Sequence, residues 1–144
     1  MINSTDDLIK YRTSRSLETL KEADLLIQNA FWNESINRIY YACYYAVSAL
    51  LLKSNIDSNS HKGIRQMFGW HFIQPGLVSK EDGRLFSDLF DRRQTGDYDD
   101  FIFYEEETVK IYFLEANGFI LRIISLIDQK WEYMIFKTRY EKVL

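Results

Sequence analysis

Cysteine, proline and glycine are all scarce in this chain of 144 residues, which has one cysteine, one proline and six glycines. Because proline and glycine mark most tight turns, their scarcity argues against a many-turned β architecture and favours long helices. The single cysteine, Cys43, has no second thiol with which to form an internal disulfide, and this fits a reducing cytoplasm. Cys43 also falls within an apolar helical stripe, where a raised thiol pKa argues against a catalytic role.

Long apolar runs and an excess of basic charge are also lacking. No run approaches the roughly 18 apolar residues that span a bilayer, and residues Met1–Asp7 lack the basic and apolar regions of a signal peptide. The formal net charge is −3, so no broad field attracts the chain to nucleic acid or to an anionic membrane. We therefore expect a soluble, cytoplasmic protein in which any contact with nucleic acid comes from a local patch or from dimer geometry.

Histidine, a common zinc ligand, occurs only at His61 and His71. With one cysteine and no closely spaced set of ligands, this argues against a structural zinc site. The sequence predicts no metal and no cofactor.

Aromatic residues are abundant, with ten tyrosines and ten phenylalanines, and aromatics make up 16% of the chain. Apolar residues recur at helical spacing along most of the sequence, which predicts an all-α fold. We expect a domain over residues 14–128 and a C-terminal helical extension over 129–144. The predicted helices cover 14–30, 34–53 and 61–68, a helix that begins at the capping box Ser79–Asp82 and ends at Gly96, and one that begins at Glu105–Glu107.

The helix predicted over 34–53 carries apolar or aromatic residues on two faces. One face is a broad apolar stripe, and the opposite face holds Arg38, Tyr41, Tyr45, Ser48 and Leu52, which is too aromatic for a plain solvated surface. A helix of this kind is usually central in a bundle or shared with a partner subunit. The pattern leaves two interpretations open: aromatic packing alone, or a subunit interface or cleft that holds Arg38.

Arg93 falls near the centre of an apolar helical face. Leu85, Phe86, Leu89 and Phe90 form this face, because positions three, four and seven apart share one side of a helix. A guanidinium in such a position is costly unless it is paired or lines a cleft. Asp97, four residues later, is the nearest candidate partner. Arg93 is therefore either part of a structural ion pair or an arginine of a functional site, whereas Arg92 lies at the edge and can reach water.

Several short segments, taken together in order, resemble one known family. The segment Arg38–Ala46, with Ala49–Leu52 after it, is similar to the second helix of HEPN domains of the UPF0332 type. The agreement continues through Ser60–Ile64, Gly76–Leu77 and Arg93–Tyr98, so that the resemblance covers about residues 16–128. It implies an up-and-down bundle of four to five helices, usually paired as a homodimer. The extra C-terminal helix predicted after residue 128 lies outside the resemblance.

The resemblance also implies a chemistry. Many HEPN domains are metal-independent ribonucleases in which an arginine is followed a few residues later by a histidine. The arginine steadies the phosphate, and the histidine assists attack by the 2′-hydroxyl. Arg93 matches the arginine, but Tyr98 stands five residues later where a histidine is expected. Tyrosine, with a pKa near 10, is a poor base at pH 7.

The leading hypothesis is a HEPN homodimer whose inter-subunit groove binds a nucleotide or an RNA phosphate. The alternatives are a metal-independent RNA-cleaving toxin that uses the same groove, and a non-catalytic interaction module in which Arg93 and Asp97 form only an internal ion pair. The resemblance implies a partner as well, because small HEPN proteins are often encoded beside a minimal nucleotidyltransferase as toxin and antitoxin. The candidate catalytic residues are Arg93, Asp97 and Tyr98, and the candidate ligand-binding residues are Arg38, Arg92, Tyr41 and Tyr45.

Overall fold

The fold is an all-α helical bundle, as the sequence predicts. A computed structural model describes the backbone of residues 4–98 and 102–140 and the side chains of residues 4–93 and 102–128. Within these ranges the chain contains no strand. The helices are α1 (Thr5–Gln28), α2 (Trp32–Lys53), α3 (His61–Phe68), α4 (Lys80–Tyr98) and α5 (Glu106–Tyr140), and a π-helical turn (Gly69–Ile73) follows α3 directly.

α1 begins nine residues earlier than the predicted start at Ser14. The side chain of Ser4 caps the helix by accepting a hydrogen bond from the amide of Asp7 at 3.2 Å, and two aspartates occupy the first turn. These features stabilise a helix N-terminus. The prediction was wrong because the first turns are mostly exposed and polar, so that apolar periodicity gives no signal there.

Small side chains allow α1 and α2 to pack closely. Ala23 of α1 and Ala42, Ala46 and Ala49 of α2 are fully buried. The hydroxyl of Ser16 donates a 2.6 Å hydrogen bond to the carbonyl of Ala42, so this buried polar group is satisfied between the two helices. The apolar stripe predicted for α2 therefore lies in the core of the bundle.

The serine cap of the capping box predicted at the start of α4 is confirmed, but the Asp82 carboxylate binds Arg122 rather than the backbone of the cap. The predicted end of this helix is wrong. The Ser79 hydroxyl accepts a 3.1 Å hydrogen bond from the amide of Asp82. The helix continues through Gly96 to Tyr98. A glycine inside a helix costs about 1 kcal/mol relative to alanine but does not forbid helical geometry, so Gly96 alone is not a stop signal.

α5 continues without a break across the boundary predicted at 128/129. No proline interrupts the sequence of this helix, and its first turn carries the acidic residues expected from the sequence. The C-terminal segment is thus continuous with α5 as far as Tyr140, and the division into a domain and an extension stays a prediction. None of the described helices is long and apolar enough to cross a membrane.

A chain of aromatic rings links four helices, α2, α3, α4 and α5. The rings of Phe86 and Phe119 stack with centroids 6.1 Å apart, and Phe68 meets both edge-on. Tyr40 of α2 stacks on Phe86 at 5.9 Å. All four side chains are almost completely buried, so they fix the positions of α2 and α4 on which the candidate site is built.

Candidate anion-binding site

Arg93 lies on α4 against the aromatic rings of α2. Its Nη1 donates a 3.2 Å hydrogen bond to the hydroxyl of Tyr41. Its guanidinium carbon is 5.1 Å from the ring centroid of Tyr40, 5.7 Å from that of Tyr41 and 5.9 Å from that of Phe90. Cation–π contacts of this kind stabilise a partly desolvated guanidinium. Tyrosines of α2 thus surround part of the Arg93 guanidinium. The sequence alone could not specify these neighbours.

Three arginines line one groove, which we call the arginine groove. It has a volume of about 530 Å³ and lies between α2 and the end of α4. Arg38, Arg92 and Arg93 contribute its positive charge, and Glu34 is the one acidic residue among the described residues that line it. The structure therefore brings together three of the residues selected from the sequence. The remaining lining residues are Leu26, Asn33, Ile36, Asn37 and Tyr104.

Neighbouring groups hold the other two arginines in place. Arg38 donates hydrogen bonds of 2.9 and 3.2 Å to Oδ1 of Asn37, and its guanidinium lies 5.0 Å from the ring of Tyr41. The guanidinium of Arg92 lies between the rings of Tyr104 and Tyr112, at 5.7 and 5.1 Å. Rings that flank a guanidinium restrict its rotamers without neutralising its charge. Arg38 also pairs with a carboxylate of α1, since its Nη1 lies 3.9 Å from Oε2 of Glu22.

The segment before α5 closes one side of the arginine groove. Asn33 donates from Nδ2 to the carbonyl of Ile102 at 2.8 Å and accepts from the amide of Tyr104 at 2.9 Å. The Tyr104 hydroxyl donates to the carbonyl of Arg92 at 2.9 Å. Burial is the main cause that raises the pKa of Tyr104, so its hydroxyl stays protonated and remains a donor at neutral pH.

Tyr41 contacts Arg93 and Arg38 but is not among the described residues that line the arginine groove. Tyr45, selected from the sequence with it, does not line the groove either. Its ring faces the guanidinium of Arg15 on α1 at 5.4 Å. Farther along this side of α2, Arg12 donates to the hydroxyl of Ser48 at 2.7 Å. α1 therefore covers much of the second face of α2. Because α1 covers this face, the face does not require a partner subunit, and a homodimer stays a prediction.

Two candidate residues lie outside the part of the chain whose side chains are described. Asp97 and Tyr98 belong to the last turn of α4, but their side chains are outside the described residues. The predicted pairing of Arg93 with Asp97 therefore stays a prediction.

His61 is a residue that the sequence reasoning missed as a site candidate. Its Nδ1 is 2.8 Å from the hydroxyl of Tyr40, and its ring stacks on Tyr44 with centroids 4.3 Å apart. Its ring also meets Tyr41 edge-on at 5.5 Å, so His61 and Arg93 share Tyr40 and Tyr41 as neighbours. The two residues are 32 positions apart in the chain. Proximity in sequence could not have revealed the pair, although both belong to the segments that carry the family resemblance.

The environment of His61 favours a neutral imidazole. Partial burial, and secondly the positive charge of Arg93, lower its pKa from 6.5. At pH 7 the ring can then accept a proton. Burial also raises the pKa of Tyr40, so the hydroxyl that contacts His61 stays protonated.

Cys43 is fully buried, and burial raises the pKa of its thiol. This agrees with a structural role in the core, because a nucleophilic cysteine requires the thiolate.

These features define a class of protein: an all-α bundle that presents clustered arginines and a neutral histidine around a tyrosine-rich helix. A family model for the HEPN domain matches residues 9–126. The chain therefore belongs to the HEPN family.

Curated relatives agree with this assignment. The chain is 39% identical over 127 residues to a "UPF0332 protein" of Thermotoga maritima, which covers 88% of this chain and 96% of the relative. It is 33% identical over 112 residues to "Putative toxin MJ0605" of Methanocaldococcus jannaschii, covering 78% of this chain and 83% of that protein. A second protein of this archaeon, "Putative toxin MJ0142", is 29% identical over 139 residues, covering 91% of this chain and 90% of that protein.

Proposed function

We propose that this HEPN protein binds the phosphate of a nucleotide or of RNA in the arginine groove. The observation that carries the proposal is the convergence of Arg38, Arg92 and Arg93 on one groove in a chain of net charge −3. Planar guanidinium groups form bidentate, charge-assisted hydrogen bonds with phosphate oxygens. A groove of about 530 Å³ is also within the usual range for small-molecule sites.

A second pocket differs from the arginine groove in its balance of charges. A pocket of about 590 Å³ between α4 and α5 is lined by Arg84, Arg92 and Arg122, but also by four carboxylates, those of Glu81, Asp82, Asp88 and Glu115. Asp82 holds Arg122 through two hydrogen bonds of 2.8 and 2.9 Å. The positive charge in this pocket is balanced, whereas the described residues that line the arginine groove include three arginines and one carboxylate, and Glu22 pairs with Arg38 at 3.9 Å. Charge balance therefore favours the arginine groove as the phosphate site.

A direct binding titration tests the proposal. Fluorescently labelled AMP is titrated against wild-type protein, Arg93→Ala and the control Lys110→Ala, which removes an exposed cation on α5 that pairs with Glu106. We expect Arg93→Ala to weaken binding about tenfold or more, because a charge-assisted contact is lost, and Lys110→Ala to bind as wild type does. Equal affinity of all three proteins, or no binding at millimolar AMP, would reject the proposal.

The second candidate function is metal-independent cleavage of RNA, and the position of His61 favours it. Tyr98 stands where the family arrangement has a histidine, but His61 lies beside the same aromatic residues as Arg93. In this reaction the His61 imidazole takes the proton of the 2′-hydroxyl, and the 2′-oxygen forms a bond to phosphorus. The bond from phosphorus to the 5′-oxygen breaks, that oxygen takes up a proton, and a 2′,3′-cyclic phosphate remains. Arg93 would stabilise the negative charge that develops on the phosphate oxygens.

The two histidines provide a matched test of cleavage. Purified protein is incubated with single-stranded RNA in EDTA, and His61→Ala and Arg93→Ala are compared with His71→Ala, which changes the exposed histidine. We expect the first two variants to lose cleavage by about a hundredfold or more and His71→Ala to retain it. Cleavage that survives both His61→Ala and Arg93→Ala would show that this pair is not the site.

The wider proposal is a cytoplasmic, toxin-like homodimer that works with a minimal nucleotidyltransferase. The names of two relatives as putative toxins support the toxin-like part. A gene for a nucleotidyltransferase beside the gene for this protein would support the partner. Induced expression of wild-type protein should arrest bacterial growth, and expression of Arg93→Ala to the same level should not. Equal growth arrest by both proteins would show that toxicity does not depend on Arg93 in the arginine groove.

A further inference from the structure

A second positively charged groove lies between α3, the π-helical turn and α4, and we call it the α3–α4 groove. Its volume is about 690 Å³. Within the part of the chain whose side chains are described, four cationic side chains line it, and Asp88 is the one carboxylate. This local excess of positive charge contrasts with the net charge of −3 of the chain. The four cationic residues are Lys62, Arg65, Lys80 and Arg84.

Most of this charge is available to a ligand. The side chains of Lys62, Lys80 and Arg84 are exposed, and none of the described residues forms an ion pair or a hydrogen bond with them. Arg65 differs, because its Nη1 is 3.4 Å from Asp91 and its guanidinium lies 4.2 Å from the ring of Phe90. Three solvated cations along one groove attract the phosphates of a polyanion.

An exposed tryptophan gives the groove a second feature of nucleic-acid sites. Trp70 lies in the π-helical turn with 51% of its surface exposed. π-helical turns occur frequently at functional sites. Across the groove, Gly83 of α4 lets Ile73 pack closely, since an added Cβ would meet the Ile73 side chain at 3.1 Å. The groove thus combines an aromatic ring and cations, the two elements with which proteins bind single-stranded nucleic acid.

Phe90 connects the α3–α4 groove to the residues around Arg93. Arg65 lies over the ring of Phe90 at 4.2 Å, and Arg93 lies near the same ring at 5.9 Å. Lys62, which lines the α3–α4 groove, directly follows His61 in α3. A chain of phosphates that occupies the α3–α4 groove therefore comes within a few residues of His61 and Arg93.

We propose that the α3–α4 groove binds single-stranded RNA, with the backbone along Lys62, Lys80 and Arg84 and a base stacked on Trp70, and directs the strand to the arginine groove. This inference rests on the proposed function, because it assigns RNA as the substrate class of that site. A single nucleotide is too short to occupy both grooves. RNA should therefore bind more tightly than AMP, and the added affinity should depend on the α3–α4 groove.

The test compares two ligands on variants of the two grooves. Labelled single-stranded RNA of 12 nucleotides and labelled AMP are titrated against wild type, Arg93→Ala, Lys80→Ala/Arg84→Ala and Trp70→Ala. The control is Lys10→Ala/Lys21→Ala, which removes two exposed cations of α1. We expect Lys80→Ala/Arg84→Ala to weaken RNA binding about tenfold or more. It should also reduce the salt slope by about 1.4, the value for two phosphate contacts of a single strand. Trp70→Ala should weaken RNA binding about 5- to 100-fold.

The outcomes separate this inference from the proposed function. AMP should bind equally to wild type and to all the groove variants, and the α1 control should bind both ligands as wild type does. If AMP binds but RNA binds wild type and Lys80→Ala/Arg84→Ala equally, the α3–α4 inference is wrong and the arginine groove stands. If RNA depends on the α3–α4 groove but neither ligand responds to Arg93→Ala, the proposed function is wrong instead. Thermal unfolding of each variant verifies that the fold is intact.

Discussion

At the scale of single residues, the fold disfavours the charged form of the His61 imidazole. Burial, and secondly the charge of Arg93, both disfavour the imidazolium form and lower the pKa of His61 below 6.5. In the unfolded chain His61 binds its proton more readily. The unfolded state therefore gains protons first as the pH falls below 6.5, and the folding stability contributed by this residue decreases in that range.

We predict that the His61 resonance titrates with a midpoint below 6.5 in a proton NMR experiment. Arg93→Gln should raise this midpoint, because the substitution removes the nearby positive charge and loosens the packing. Arg92→Gln, the neighbouring substitution of the same type, is the control and should leave it in place. His61→Gln assigns the resonance, since the chain has only two histidines. A midpoint at or above 6.5, or one that Arg93→Gln leaves unchanged, would contradict the effect of burial and of Arg93 on the pKa of His61.

The sequence could identify Arg93 but not its surroundings. Its place on an apolar helical face follows from spacing within one helix, and the structure gives it partly buried aromatic neighbours. Tyr41 and His61 reach Arg93 from other helices, so their roles depend on how α2, α3 and α4 pack. Single-sequence periodicity carries no information on such contacts, and this is why the histidine beside Arg93 was missed.

At the scale of the helices, α1 and α2 end in the same way. At the end of α1 the amide of Phe31 donates a hydrogen bond to the carbonyl of Leu26 at 2.9 Å. At the end of α2 the amide of Ile56 donates one to the carbonyl of Leu51, also at 2.9 Å. This six-to-one hydrogen bond is that of a Schellman motif, in which the residue before the donor adopts a left-handed conformation. That residue is Ala30 in one case, with a φ of 61°, and Asn55 in the other, with a φ of 59°.

We predict that Ala30→Gly stabilises the protein by about 1 kcal/mol. Alanine is strained by roughly 1–2 kcal/mol in the left-handed region, and glycine removes this strain at some cost in unfolded-chain entropy. Asn55→Gly is the matched comparison and should gain less, because asparagine tolerates this conformation. Urea unfolding gives both values. A destabilised Ala30→Gly, or a larger gain for Asn55→Gly, would be inconsistent with the strained turn.

The N-terminus of α4 supports a second prediction at this scale. Ser79→Ala removes the hydroxyl that accepts from the amide of Asp82 and should lower the free energy of unfolding by about 1 kcal/mol. Ser79→Asp should restore most of it, whereas Ser125→Ala, at an exposed position inside α5, should be nearly neutral. Denaturant unfolding of the three variants measures this. If Ser79→Ala is as stable as wild type, the cap contributes nothing.

Helix boundaries were predictable where a local signal specified them. Ser79 and the acidic residues that begin α5 act through contacts within one turn, so the sequence pattern was sufficient. The start of α1 was misplaced because its first turns bury little apolar surface, and the end of α4 was misplaced because Gly96 remains helical. α1 begins at its own cap, Ser4, a local signal that apolar periodicity does not reveal, and α4 continues because a single glycine does not end a helix.

At the scale of the whole molecule, charge is separated although the total is small. Among the described residues, the lining of the arginine groove has three cations against one carboxylate, and that of the α3–α4 groove has four against one. With a net charge of −3, the rest of the chain must carry the balancing excess of acidic residues. Such a distribution of charge attracts polyanions to these two grooves, although the surface as a whole is not basic. Composition alone could therefore exclude a broad basic face, but it could not locate the grooves, which form only when distant residues meet.

The last prediction concerns assembly into a homodimer. It rests on an exposed apolar face of α5 rather than on the second face of α2. Ile111, Leu114 and Leu121 are 48%, 70% and 56% exposed and lie on one side of α5. Apolar stripes of this kind are uncommon on monomers unless they bind a partner. Light scattering at micromolar concentration should give twice the chain mass of 17.2 kDa. Leu114→Glu should shift the protein to the monomer, and Leu25→Glu, which changes a 60% exposed leucine of α1, should not. A wild-type mass of one chain would exclude the homodimer, and a dimer that survives Leu114→Glu would place its interface elsewhere.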